Sequence, residues 1–410
     1  MRFCILILLM TAKAFASANF LDTYVESRTA FLQSLDHLKA KKIHYEHQAV
    51  AIPSKATTDP LFMDAVYISS ASPTNATSEA KKVAATPLKN LVVLISGVHG
   101  LEGAVGSALQ RYFLQNILSP PLLEKNNFLL LHAVNPYGFH FGRRVTENNV
   151  DLNRNFSLSK DLYKTINKDY INLNSLLNPV GPASAGYMDQ RWFYLSTLPL
   201  IVQYGVESLR KAILKGQYQF SKGIYFGGRE PEFQQSAVAQ ILTKYVQNAP
   251  RVLVIDLHTG YGEKGHLHLL SDQTDLDKKK QLQNLFTSRP VDYGQKEKFY
   301  TVTGGFVDFI ETFIESPDGG VRQKPAPASK VTTVVFEFGT KNSQTLSGSL
   351  ESLYIMVREN QKFHWGASST VADQRLQQKV LEMYNPPSAE WRSTVTSQFQ
   401  QTLTEALYKF

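Results

Sequence analysis

His99 and Glu102 stand three residues apart in Ser96-Gly97-Val98-His99-Gly100-Leu101-Glu102-Gly103. An apolar run precedes them, and a helical pattern begins at Gly103. A turn there can aim both side chains at one ion, and imidazole and carboxylate are ordinary zinc donors. The competing reading is a turn histidine with a carboxylate favoured by the dipole of the next helix. His258 ends a second apolar run and is followed by Thr259-Gly260. Asp256, two residues back, shares its side of a strand and suits the orienting of an imidazole, with the choice of imidazole left open. Two close ligands and a distant third are the layout of a catalytic zinc site with one open position. Glu337 lies in the apolar stretch Val334-Val335-Phe336-Glu337-Phe338-Gly339. A carboxylate there is costly to bury alone, so it serves either an ion pair or general-base chemistry on a water held by a metal. Arg143 and Arg144, with Asn153, Arg154 and Asn155 shortly after, crowd guanidinium and amide donors into one stretch. Such donors suit bidentate capture of a carboxylate or polarisation of a carbonyl. No Gly-rich phosphate loop accompanies them.

These residues need strand ends to hold them. Leu91–Ile95, Asn127–Val134, Arg251–Leu257 and Val331–Phe338 read as buried strands, and residues 62–70 suit another. Helical spacing marks 20–42, 103–117, 189–204 and 205–215. From Ser343 the chain reads as mostly helical, broken at Pro386-Pro387 before a last helix at 388–409. Strands alternating with helices imply an α/β fold with a mixed, mostly parallel sheet flanked by helices in one catalytic domain. In such sheets ligands bind at the carboxyl ends of the strands. Residues 157–222 lack a strand signal and read as an insertion on a domain spanning 19–365. Residues 366–410 read as a helical extension.

The chain has 410 residues, 43% hydrophobic and 19% charged, which excludes wholesale disorder. Its single cysteine, Cys4, excludes an internal disulfide and cysteine-based metal sites. The net charge of +8 comes from scattered residues, and the one tight triplet, Lys278–Lys280, fits a solvated helix face. No nucleic acid is expected as a partner. Arg2, the apolar run 3–10 and the small residues Ala14–Ala18 read as a cleavable export signal at 1–18. The run is too short to span a bilayer. The protein is therefore expected in the periplasm or secreted, with no stable membrane anchor and no obligate protein partner.

Taken in order, these segments resemble the zinc metallocarboxypeptidases, or funnelins. His99 and Glu102 match that family's H-x-x-E, and Asn135-Pro136-Tyr137-Gly138-Phe139 its N-P-D-G-F turn, with Tyr137 for the usual Asp. Asp151–Phe156 resembles D-x-N-R-N, and Glu230-Pro231-Glu232 the S-E-x-E before a helix. Ile255–His258, Tyr300–Asp308 and Phe336–Phe338 resemble the segments holding the third ligand, the closing Tyr and the catalytic Glu. The resemblance implies one zinc ion on His99, Glu102 and His258, with Glu337 as general base and acid. It implies that Arg144 polarises the scissile carbonyl, although the short spacing to Arg154 leaves Arg143 as the alternative. Asn153 and Arg154 would hold the substrate's terminal carboxylate, and Tyr300 would close over it. Val307 would line the pocket for the terminal side chain and favour apolar residues there. The expected activity is removal of C-terminal residues from peptides. The alternatives are an aspartoacylase-like deacylase of N-acyl amino acids and an inactive peptide-binding relative.

Overall fold

A single sheet of eight strands organises the chain, in the order β1-β2-β4-β3-β5-β8-β6-β7. The computed structural model describes residues 20–70, 88–246, 249–293, 303–316 and 330–410. The strands are β1 (His44–Ile52), β2 (Leu61–Ser69), β3 (Asn90–Ser96), β4 (Asn126–His132), β5 (Arg251–Thr259), β6 (Leu267–Ser271), β7 (Val291–Tyr293) and β8 (Lys330–Phe338). The main helices are α1 (Tyr24–Ser34), α2 (Gly103–Tyr112), α3 (Lys168–Leu177), α4 (Tyr187–Tyr204), α5 (Val206–Leu214) and α6 (Phe233–Tyr245). They continue with α7 (Leu276–Leu285), α8 (Phe306–Glu315), α9 (Leu346–Trp365), α10 (Thr370–Tyr384) and α11 (Ala389–Lys409). The central strands β4, β3, β5 and β8 run parallel, while β1, β2 and β6 add antiparallel pairings. The fold is thus α/β, with one mixed, mostly parallel sheet between helices.

Period-two alternation sorts each central strand onto two faces. Leu253, Ile255 and Leu257 of β5 pack with Val334, Phe336 and Phe338 of β8 in the larger core. On the other face Val252 and Val254 of β5 join Val93 and Ile95 of β3 in a second core beneath α6 and α8. Asp256 and His258 continue the parity of Val252 and Val254, and Glu337 that of Val331. All three therefore stand on the second face. From β3 the chain crosses to β4 on one side and later returns to β5 on the other. The carboxyl ends of β3 and β5 are thus a topological switch point, where a crevice opens in sheets of this kind.

The segment 366–410 contributes to the main body. Trp391, Val395, Phe399 and Leu403 of α11 are buried in the larger core. Asn90 and Arg251 donate to the Phe410 backbone oxygen. Within 157–222, helices α3 and α5 and Phe193 of α4 pack with α9 and α10 in a third cluster. The helical expectation for 103–117 holds to Tyr112, after which Phe113–Ile117 widens into a π-turn.

Candidate metal centre and cavity

The loop after β3 turns at Gly97, whose φ of 67° is the left-handed region that glycine adopts without strain. A Cβ on Gly97 would also lie 3.1 Å from the Ala133 Cα. The turn delivers His99 and Glu102 beside the end of β5. The Asn135–Phe139 segment locks this loop from behind. Asn135 accepts from the Gly138 N–H at 2.9 Å and donates to the Arg144 carbonyl at 3.2 Å. Gly100 donates to that same carbonyl at 3.1 Å. Gly100 and Gly138 approach so closely that a Cβ on Gly100 would fall 2.0 Å from the Gly138 carbonyl carbon.

His99, Glu102 and His258 converge, each with one ligand atom within 4.8 Å of the others, and all three are buried. The Nδ1 atoms of His99 and His258 lie 3.1 Å apart. The two Glu102 oxygens reach them at 2.8 and 2.9 Å. Glu102 is anchored further by the Thr259 N–H at 2.9 Å. The Nε2 of His258 meets Asp256 at 2.7 Å. Asp256 thereby orients the ring so that Nδ1 faces the cluster, available as a ligand once it gives up its proton, the usual function of a carboxylate behind a ligating histidine. The sequence left open which imidazole Asp256 orients; it is His258, on its own strand.

The electrostatics describe a pocket short of positive charge. Burial acts to lower the His258 pKa, but Asp256 and Glu102 outweigh it and hold it well above the usual histidine value. Burial would raise Glu102, yet the neighbouring His99 and His258 hold it low. Two imidazoles and a carboxylate, buried and mutually oriented, fit a divalent cation with zinc's preferences.

Glu337 stands opposite His258 in the β5/β8 register and accepts from the Tyr261 N–H at 2.9 Å. Its carboxyl is raised above the ordinary range, first by burial and then by the Glu102 carboxylate. Arg144 donates through Nε to Asp151 at 3.0 Å, and its Nη2 lies 2.6 Å from the His99 Nε2. Arg143 turns the other way. It pairs with Glu359 at 2.8 Å and stacks over Phe363. Arg144 is therefore the guanidinium at the cluster.

One cavity of about 220 Å³ takes in His99, Glu102, His258, Glu337, Arg144, Asn153, Arg154 and Val307. Asn153 accepts from the Phe306 N–H at 3.0 Å. The Arg154 guanidinium is partly engaged by the Leu214 and Asn153 carbonyls. Val307 lines the cavity together with Asp272 and Asp308, so the lining includes acidic residues as well as apolar ones. Burial, with Glu311 nearby, pushes the Asp308 carboxyl up to about 6. Tyr300 lies outside the described residues.

Sequence reasoning gave no role to Asp151, whose carboxylate joins Arg144 to His99 at 3.3 Å. A buried acid inside the Asp-Leu-Asn-Arg-Asn stretch was the available signal. It also missed Tyr384, a buried cavity residue from α10. No local pattern ties that position to His99 and Glu102, some 280 residues earlier in the chain.

Fold and site together define an α/β chain with a buried His–Glu–His cluster at its switch point and a second buried glutamate, Glu337, on the neighbouring strand. The chain belongs to the family described as "Protein of unknown function (DUF2817)", whose model matches residues 20–398. No curated protein sequence matches it. Among solved structures it is similar to bovine thrombin-activatable fibrinolysis inhibitor in complex with tick carboxypeptidase inhibitor. That match has 15% identity, covers 88% of this chain and 97% of the other, and has a TM-score of 0.44. Carboxypeptidase A from Helicoverpa armigera matches at 13%, covering 84% and 71%, with a TM-score of 0.42. Murein-tripeptide amidase MpaA from Escherichia coli O157 matches at 15%, covering 77% and 91%, with a TM-score of 0.33.

Proposed function

We propose that this chain is a zinc-dependent amide hydrolase that removes C-terminal residues from peptides after export from the cytoplasm. The observation that carries the reading is the buried cluster of His99, Glu102 and His258 in one cavity with Glu337. Zinc, when bound by these three residues, supplies Lewis acidity and lowers the pKa of water towards ~7. Glu337 takes the proton of the attacking water and passes it to the departing amine. Its raised proton affinity suits a group that must both accept and donate near neutrality. Arg144, fixed by Asp151, presents a cation to the carbonyl oxygen as charge develops there. Asn153 and Arg154 are assigned the substrate carboxylate on the sequence resemblance; all three guanidinium nitrogens of Arg154 already donate to the Leu214 and Asn153 carbonyls. Tyr300 is assigned its closing role on the sequence resemblance alone.

A second reading is a deacylase of N-acyl amino acids. It is favoured by the apolar side of the cavity, where Leu173, Leu200, Ile201, Leu209 and Ile213 come from the insertion. Both readings share the metal, Glu337 and a substrate carboxylate. Metal analysis of the purified protein, with product screens on C-terminal peptide libraries and on N-acyl amino acids, separates them. Release of single C-terminal residues supports the peptidase, and release of the acid alone supports the deacylase. A protein that takes up no zinc, or binds it without turning over either class, defeats the proposal.

A further inference from the structure

Helix α4 is apolar on two opposite faces. Its inner face carries Phe193, Thr197, Leu200 and Ile201, packed in the third core cluster or lining the cavity. Its outer face presents Met188, Trp192, Leu195 and Val202 to solvent, with Trp192 64% and Val202 86% exposed. The spacing of 4, 3 and 7 residues places these four side chains within one narrow stripe. Tyr187 and Leu198 flank the stripe and are also exposed. A helix with apolar residues on opposite faces ordinarily covers both, yet the outer face of this one is exposed.

The charge balance of the segment that carries the stripe favours one occupant. Trp192 to Tyr204 contains no charged residue, and Arg191 is the one exposed charge on α4. The other charge, Asp189, is held by Arg358 and Tyr354. Residues 157–222 carry eight Lys and Arg against four Asp and Glu, so this segment alone supplies half of the chain's excess of +8. An apolar stripe with Trp and Tyr, set in a cationic segment, has the makeup of a helix that lies in the interface of an anionic bilayer. Among the described residues no helix is long and apolar enough to cross a membrane.

We propose that α4 seats this protein on an anionic lipid surface through Met188, Trp192, Leu195 and Val202. The inner face of the same helix walls the cavity, so seating places one wall of the cavity directly against the membrane. The proposal concerns attachment and does not rest on the proposed reaction.

The test is co-sedimentation of the full chain with vesicles of phosphatidylglycerol and phosphatidylethanolamine, compared with phosphatidylcholine alone. The expected result is binding to the anionic vesicles with a blue shift in Trp192 emission. The triple variant W192Q/L195Q/V202Q changes no charge and no cavity residue. It should partition at least ten-fold more weakly while keeping the parent's circular dichroism, melting curve and zinc content. Failure of the parent to pellet with anionic vesicles overturns the proposal. So does pelleting that the triple variant retains, since charge alone then explains it. Sedimentation velocity showing a dimer that the triple variant dissolves, without vesicle binding, would assign the stripe to a second copy and also overturn it.

Discussion

On the proposed reading the two histidines and the two glutamates of the centre do different work, and single substitutions separate them. His258→Ala removes a ligand, and stoichiometric zinc should be lost from the purified protein. Glu337→Gln leaves all three ligands, so zinc should stay while kcat falls by roughly 10²–10⁴, the usual contribution of a positioned base. Retained zinc in the first variant, or near-normal turnover in the second, contradicts the assignment. Asp256→Asn probes the layer behind. Its carboxylate accepts from the His258 Nε2 at 2.7 Å, and loss of such a partner typically weakens metal affinity by about 10–100-fold. Competition with a chromophoric chelator measures that directly. His99, Glu102 and His258 could be picked out in the sequence because each follows an apolar strand run, and the structure brings the three together. The division of labour between Arg143 and Arg144 was not legible. Adjacent residues point apart, and only the partners, Glu359 for one and Asp151 for the other, decide which faces the metal cluster.

At the scale of elements, the buried parallel strands were readable as continuous apolar runs, whereas β1, β6 and β7 were not. β1 is an edge strand, with no more than Ile52 fully buried, so its sequence lacks an apolar alternation. β6 and β7 are five and three residues long, too short for periodicity to register. The Asn135–Phe139 segment was legible as a motif, but its structural task was not. It presses Gly138 against Gly100 and so sets the loop that carries two ligands. A methyl group at Gly100 meets backbone, which cannot rotate away. Gly100→Ala should therefore cost about 2–4 kcal/mol of stability, in the range of overpacking and backbone effects. It should also weaken zinc binding, because the loop must move to admit the methyl. Denaturant unfolding with and without zinc checks both. An unchanged chelator competition curve would show that the contact does not govern the ligand loop.

At the scale of the whole molecule, five elements meet at a polar cluster that lines no part of the cavity. Arg28 of α1 and His47 of β1 both pair with Asp64 of β2, at 2.7 and 2.8 Å. His132 of β4 lies 3.9 Å from Asp64, meets Ser107 of α2 at 3.0 Å and stacks on Phe31 at 4.2 Å. Ser107, His132 and Asp64 have the composition of a nucleophilic triad. All three are fully buried and none lines the cavity, so the cluster is structural. Assembly of this kind is illegible in sequence, since the partners are scattered over a hundred residues and only the pairing of the strands brings them together. It makes the fold sensitive to acid. Burial, with Arg28 and Arg111 nearby, pulls the His132 pKa down to about 4 from 6.5, against the pull of Asp64. Between those values the unfolded chain binds a proton that the folded chain refuses, so stability falls as pH drops through about 6.5 and continues to fall until about 4. Asp64 acts in the same direction at lower pH. Its folded pKa is depressed despite burial by His47 and Arg28, so its contribution is lost as pH falls below the ordinary carboxylate value. Other histidines, His268 among them, share the depressed value, so the parent protein alone cannot assign the effect. His132→Gln keeps a partner for Ser107 and removes the titration. From pH 7 to pH 5 the parent should lose about 2 kcal/mol more than this variant, read as the difference in denaturation free energies at the two pH values. Equal losses in the two proteins would mean that His132 is not the group through which acid loosens the attachment of α1 and the first two strands to the sheet.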